Sequence, residues 1–161
     1  MRGLAAAEPA LGLVRRVTTR APDLGGEDYD AVTLTEFLDR RRAAAFCLSW
    51  EAHGLHYGIP AEVSQAAEGG SDMLVNLSRA VLSDAANVFP SLVVLSLSAS
   101  PEKLAQRLAA RNRETPAAIA RRLQRIGPRL PSGLPIITVK NEGALDQTVQ
   151  AAIAQLYPER A

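Results

Sequence analysis

Lysine is almost missing from this chain: of 18 basic side chains only Lys103 and Lys140 are lysines, and the remainder are arginines. Cysteine is scarcer still. Cys47 stands alone, which excludes an internal disulfide and points to a reducing compartment, read here as the cytoplasm. No apolar run reaches the roughly 18–20 residues a membrane helix needs. Charge of one sign is not in excess either: 18 basic against 17 acidic residues give +1, unlike the basic balance of a general nucleic-acid binder. The opening stretch MRGLAAAEPALGLVRR is broken by Glu8 and Pro9 and has no cleavage pattern after it, so it does not read as a secretory leader. Internal repeats, heptads and low-complexity tails are lacking too. What is present is 161 residues, 47% hydrophobic and 22% charged, the profile of one globular domain with a real core.

Arg2–Glu8 reads as the tail of a helix without an N-cap, stopped by Pro9. Residues 13–19 (LVRRVTT) suggest one strand, and 21–30 (APDLGGEDYD) loop chemistry around Pro22 and Gly25–Gly26. A helix capped by Thr33 or Thr35 follows to Arg42. Residues 46–50 and 55–57 flank His53–Gly54 as a hairpin, and a helix over 60–68 stops at Gly69–Gly70. The runs at 73–77 and 92–99 are apolar enough for strands buried on both faces, with a helix over 79–88 between them. Ser100-Pro101 and Thr115-Pro116 start two more helices, to about Arg113 and Ile126. A short buried strand at 135–139 and an amphipathic helix at 143–156 close the chain. This alternation predicts an α/β fold with a parallel sheet.

Four constellations carry candidate chemistry. Arg15, Arg16 and Arg20 with Thr18 and Thr19 at a strand end suit a phosphate clamp, because guanidinium forks match phosphate oxygens and hydroxyls add neutral donors. A solvated strand edge would carry the same residues. Residues 49–58 place Tyr57 beside glycines, where its hydroxyl suits a phosphate or sugar; His53 and His56 lack a third metal ligand at familiar spacing. Asn76, Ser78 and Arg79 end an apolar strand, where open α/β sheets bind ligands. Arg107, Arg111, Arg113, Arg121, Arg122 and Arg125 line two helices around one turn. Such a pair suits closing over a nucleotide and neutralising a transferring phosphoryl group.

In this order, Arg16-x-Thr18-Thr19-Arg20, Gly26-Glu27, Leu48-Ser49-Trp50-x-Ala52-x-Gly54-Leu55-x-Tyr57-Gly58, Val75-Asn76-x-Ser78-Arg79-Ala80 and Arg107-Leu108-x-x-Arg111-x-Arg113-Glu114 resemble the guanylate-kinase-like branch of the nucleoside monophosphate kinases. The resemblance spans essentially the whole chain. Within that branch the pattern is similar to the ribose 1,5-bisphosphate phosphokinase family of bacterial phosphonate catabolism. It implies transfer of the γ-phosphoryl of ATP to ribose 1,5-bisphosphate, giving 5-phosphoribosyl diphosphate and ADP. By the same resemblance Arg16, Thr19, Arg20, Tyr29 and Tyr57 hold the sugar phosphates. Asn76, Ser78 and Arg79 line the acceptor side, and Arg111 and Arg122 are catalytic, neutralising transition-state charge. Arg107, Arg113 and Asn141 serve the ATP side, with Asn141 near the adenine. Mg²⁺ arrives with ATP, and no protein-only metal site is expected. The expected partners are ATP and a small phosphorylated sugar, with no nucleic acid and no membrane; a homodimer is left open.

Against guanylate kinase proper, Leu48 stands where that enzyme holds guanine with a glutamate. Asn76 and Ser78 replace acidic residues, and Asp23 replaces a second arginine. A site without partners for a base discriminates poorly for that base. The chain also departs from the ribose-bisphosphate pattern, with Asp28-Tyr29 in place of Asn-His and Leu77 in place of glycine. Guanylate kinase activity and a non-catalytic, kinase-derived binding module are the alternatives.

Kinases of this fold open on a strand and a G-x-x-x-x-G-K loop that cradles phosphates. That motif occurs nowhere in the chain. The expected fold is therefore an α/β P-loop NTPase of nucleoside monophosphate kinase type, a parallel sheet flanked by helices with its first strand and P-loop missing, about 20 residues in all. Either Met1 is internal to a longer product or the product lacks the loop; in both cases the chain is expected to be a poor kinase with unpaired strand edges. The expected organisation is one guanylate-kinase-like domain over 1–161, with a substrate-binding insertion near 20–70 and an arginine lid near 107–125.

Overall fold

A computed structural model of the chain describes residues 1–22, 27–110, 115, 120, 123 and 130–160. Two units, Met1–Leu92 and Val93–Ala161, each make most of their contacts internally. The first holds α1 (Arg2–Ala7), β1 (Gly12–Leu13), β2 (Arg16–Thr18), β3 (Tyr29–Ala31), α2 (Leu34–Arg42), β4 (Phe46–Ala52), β5 (Leu55–Pro60), α3 (Glu62–Glu68), β6 (Met73–Leu74) and, after a 3-10 turn at Arg79–Val81, α4 (Leu82–Val88). The second holds β7 (Val94–Ser98), α5 (Pro101–Ala110), β8 (Ile136–Lys140), α6 (Leu145–Leu156) and a 3-10 turn at Pro158–Arg160.

The hairpin expected from the sequence forms. His53 and Gly54 take positive φ, 55° and 72°, which turns the chain tightly from β4 into β5. Trp50 lies opposite Tyr57 and Leu48 opposite Ile59, with a register shift between Phe46 and Leu48. Beyond that bulge the side-chain alternation flips. Phe46 therefore turns to α2, stacking on Phe37 at 4.8 Å, while Leu48 joins the core with Ile59. β5 also pairs antiparallel with β2, and β2 pairs parallel with β3, giving the order β3-β2-β5-β4. Gly58 is required by close approach, since a Cβ there would sit 2.7 Å from the Phe46 ring.

α2 forms as its sequence demands. The Thr33 hydroxyl accepts from the Glu36 N–H at 3.2 Å, Glu36 lies in the first turn and three arginines in the last, and both biases suit the helix dipole. Phe37 on its inner face is fully buried. On the opposite side of the sheet, Leu48, Ile59, Val14, Val63, Val81 and Ala85 form the core, with Met73, Val75, Leu77 and Trp50 packed against it.

Several expectations change. The strand expected over 13–19 is two strands, because the Val14 N–H leaves for the Leu74 carbonyl and β1 pairs with β6 while β2 joins the mixed sheet. The expected loop over 21–30 ends in β3. The strand expected to Leu77 stops at Leu74: β1 offers only two residues to pair with, and Val75 and Leu77 pack on the core without a ladder. The α/β class with parallel pairing holds, in β1–β6, β7–β8 and β2–β3.

In the second unit β7 and β8 pair in register from Val94–Ile136 to Ser98–Lys140. The expectation that these strands are buried on both faces is corrected: Leu97 is 53% and Ile136 40% exposed, and only Val139 is buried. Among the described residues the two strands pair only with each other, and α6 covers β8 with Val149 and Ala152 buried in it. With each strand paired along one edge only among the described residues, parts of both stay open to water.

Candidate functional site

Arg16 and Thr18 alternate onto the sheet face that carries Trp50 and Tyr57, because Thr18 lies directly opposite Tyr57 and Tyr57 opposite Trp50. The aromatic pair stacks at 5.3 Å between ring centres and 13° between planes. The Arg16 guanidinium lies 5.2 Å from the Tyr57 ring centre and 5.9 Å from that of Trp50, a cation–π arrangement. Its edge is occupied as well. Arg16 Nε donates to Glu27 Oε1 at 2.7 Å and Nη2 to Oε2 at 2.8 Å. Asn76 Nδ2 donates to the same Oε2 at 2.8 Å. Residues far apart in sequence, 16, 27, 50, 57 and 76, thus meet at one place.

Other expected site residues are built into local structure. Thr19 exchanges hydrogen bonds with His56, its N–H donating to the His56 carbonyl and its hydroxyl accepting from the His56 N–H. That extends the β2–β5 pairing. The Thr18 hydroxyl, fully buried, accepts from the Arg20 N–H, and the Arg20 guanidinium lies 5.6 Å from the Tyr29 ring centre. The Tyr29 hydroxyl donates to the Ala21 carbonyl at 2.6 Å. Ser78 caps the 3-10 turn by accepting from the Ala80 N–H, and Arg79 is the first residue of that turn. His56 stands beside Phe37, ring centres 5.4 Å apart, so it belongs to the α2 side of the sheet.

That side carries its own cleft of about 550 Å³. Arg15, Asp30, Arg40, Phe46, Pro60 and Glu62 line it. Its cations are paired, Arg40 with Glu36 at 2.6 Å and Asp30 at 3.0 Å, and Arg15 with Asp28 at 3.4 Å. The hydrogen bonds that Arg40 donates to Glu36 and then to Asp30 raise its affinity for its proton. Cys47 is half-buried, and burial pushes its thiol up from the ordinary cysteine range. A raised thiol is a poor nucleophile.

In the second unit, Arg107 Nη2 donates to Asn141 Oδ1 at 3.1 Å, and the Thr148 hydroxyl lies at 3.1 Å from the same oxygen. The Asn141 N–H donates to the Ser98 carbonyl. Two residues expected on the ATP side, 34 positions apart in sequence, are therefore neighbours. Arg111, Arg113 and Arg122 lie outside the described residues, as do Gly25, Gly26 and Asp23. Among the described residues no group of three or more His, Cys, Asp or Glu side chains is placed to hold a metal ion. No helix among them is long and apolar enough to cross a membrane.

Glu27 and Trp50 stand inside the family-like motifs but carry no expected role there, and Thr148 stands outside all of them. An acid directly after the Gly25–Gly26 pair that follows an arginine cluster is the available signal for Glu27. The single tryptophan, two residues from Leu48 and facing Tyr57 across the hairpin, was the signal for Trp50. Nothing in the sequence ties Thr148 to Asn141.

Comparison with known proteins bears on this geometry. The chain is 49% identical over 162 residues to the ribose 1,5-bisphosphate phosphokinase PhnN of Ruegeria sp. (strain TM1040), covering all of this chain and 85% of that protein. It is 44% identical over 151 residues to the protein of the same name from Pseudomonas paraeruginosa, covering 92% of this chain and 81% of that protein. No family model matches the chain. Among solved structures, guanylate kinase from Anaplasma phagocytophilum superposes with a TM-score of 0.69 at 19% identity, covering 98% of this chain and 81% of that one. At that identity the likeness speaks to the fold alone.

Proposed function

The chain belongs to the ribose 1,5-bisphosphate phosphokinase family, and from that premise we propose that it transfers the γ-phosphoryl of ATP to ribose 1,5-bisphosphate, yielding 5-phosphoribosyl diphosphate and ADP. The observation that carries the reading is 49% identity sustained along the whole chain. The structure adds a chemical argument against a purine acceptor. Leu48, at the position where guanylate kinases place a base-reading glutamate, is 7% exposed and packed among Val14, Ile59, Val63 and Val81. A buried leucine makes no hydrogen bond to a base, so this position offers nothing with which to select one.

In this reading Arg16, Arg20, Tyr29 and Tyr57 hold the sugar phosphates, and Asn76, Ser78 and Arg79 line the acceptor. The Thr19 hydroxyl oxygen is already engaged by the His56 N–H, so Thr19 serves chiefly to seat the strand that carries Arg20. Arg107 and Asn141 form the ATP side, where their donors suit the acceptor atoms of a purine ring. Arg113 joins them, and Arg111 and Arg122 spread the charge of a loose phosphoryl transition state. ATP supplies the phosphoryl group and brings Mg²⁺ on its phosphates. We read both units as parts of one guanylate-kinase-like domain over 1–161, with the insertion near 20–70 and the lid near 107–125, working in the cytoplasm.

A coupled assay with MgATP tests this by offering ribose 1,5-bisphosphate and GMP in parallel. Faster turnover of the bisphosphate is expected. Faster turnover of GMP transfers the chain to guanylate kinase activity. Saturable binding of the bisphosphate with no ADP released favours a binding module.

A further inference from the structure

A guanidinium has five N–H donors arranged on two usable edges. In Arg16 the Nε–Nη2 edge is taken by both oxygens of Glu27, and its ring-facing side rests against Tyr57 and Trp50. Both partners are largely withdrawn from water, with 13% of the Arg16 side chain and 17% of the Glu27 side chain exposed. Of the three remaining donors, one on Nη1 and the second on Nη2 form the opposite edge, which meets no partner among the described residues. An arginine held by one edge and one face has its other edge aimed in a fixed direction. The same carboxylate receives Asn76 Nδ2, which turns the Asn76 carbonyl oxygen the other way, as an acceptor.

We propose that Glu27 is a positioning residue for the acceptor site: it locks Arg16 so that the free edge of the guanidinium meets a phosphate, and orients Asn76 so that its Oδ1 accepts from a sugar hydroxyl. This rests on the reading of residues 16 and 76 as acceptor-binding. The charge consequence is specific. Arg16 is already neutralised by Glu27, so it contributes direction more than net attraction. The opposite model makes Glu27 a stand-in anion that a phosphate must expel before Arg16 becomes available. The two models give binding changes of opposite sign when the carboxylate is removed.

Glutamine at position 27 separates them. It keeps the size of the side chain but offers one oxygen and one NH₂ group where Arg16 and Asn76 both present donors, so a donor–donor conflict replaces one bond. Trp50, the single tryptophan, stacks within this cluster and reports ligand binding by fluorescence without turnover. The probes are ribose 1,5-bisphosphate, ribose 5-phosphate and inorganic phosphate, titrated into the unmodified chain and into Glu27→Gln, Arg16→Lys and the double variant. The expected result is about a tenfold rise in Kd for the sugar phosphates in Glu27→Gln, the scale of one charge-assisted bond. In the Arg16→Lys background the same change should add less than about twofold, because the two residues act as a unit.

Glu27→Asp, which keeps the charge but shortens the reach, should weaken binding by an intermediate factor, and it carries the test if Glu27→Gln does not fold. Unchanged or tighter binding in Glu27→Gln overturns the proposal, as does a full, additive loss in the Arg16→Lys background. If the unmodified chain answers to ribose 5-phosphate or phosphate but not to the bisphosphate, the substrate reading falls while the Glu27 comparison is still read on the probe that binds. No response to any of the three overturns both.

Discussion

Facing α2, the four-stranded sheet presents Phe46, Gly58 and His56 to a fully buried Phe37, and the cations near its rim are paired within that rim. Facing the other way, the same strands present Leu48 and Ile59 to the core at one end and Arg16, Trp50 and Tyr57 to Glu27 and Asn76 at the other. The difference follows from a period of two along each strand, altered once by the bulge between Phe46 and Leu48. One face is occupied with holding the sheet to its helix. The second divides its length between core and site, so the seating of the sheet on α2 and the placement of Arg16 rest on alternate residue pairs of the same strands.

If that division is real, substitutions on the two faces should separate into losses of stability and losses of binding. The largest effect is expected from Phe37→Ala. Emptying a fully buried aromatic site costs about 3–5 kcal/mol, read as a lowered urea midpoint with an unchanged m-value. Any sugar phosphate affinity that remains below the transition should match the parent chain. A shift under 1 kcal/mol would break the comparison, because the α2 face would then not be what holds the sheet.

Next comes Gly58→Ala. Its methyl would lie 2.7 Å from the Phe46 ring, itself stacked on Phe37. Overpacking of this kind costs about 1–3 kcal/mol, measurable by calorimetry. The neighbouring Tyr57 points to the opposite face, so a weakened ligand affinity out of proportion to the lost stability would show the two faces to be coupled. The smallest effect is expected from Tyr57→Phe. Removing the hydroxyl keeps the Trp50 stack, so the melting temperature should stay within a degree or two, while acceptor affinity falls by up to about tenfold, the range of one hydrogen bond of about 0.5–1.5 kcal/mol. Titration followed by Trp50 fluorescence measures it, and an unchanged Kd would remove Tyr57 from the acceptor site.

Elements with strong local signals were legible before any fold was known. Thr33, Glu36 and the arginine run mark α2 at both ends, and His53–Gly54 marks the hairpin turn. Boundaries that depend on a partner were not. The break between β1 and β2 comes from the Val14 N–H pairing with Leu74, 60 residues on, and the early end of β6 from the shortness of β1. Apolar composition over 92–99 promised two buried faces, yet Leu97 stands half in water, because composition records what a strand could bury and not how many neighbours it has.

The site divides in the same way. Residue types and order were enough to determine that this chain handles phosphates and that its family is one of sugar-phosphate kinases rather than base-reading ones. Only the tertiary structure decided what Arg16, Arg20 and Arg107 touch. Arg16 is bound edge-on to Glu27 and face-on to an aromatic pair, Arg20 lies over Tyr29, and Arg107 reaches Asn141. A sequence gives every guanidinium the same charge and the same five donors. Which of those donors remain for a ligand depends on the carboxylates and rings that folding brings within about 3–6 Å, and those partners come from positions the local sequence does not contain.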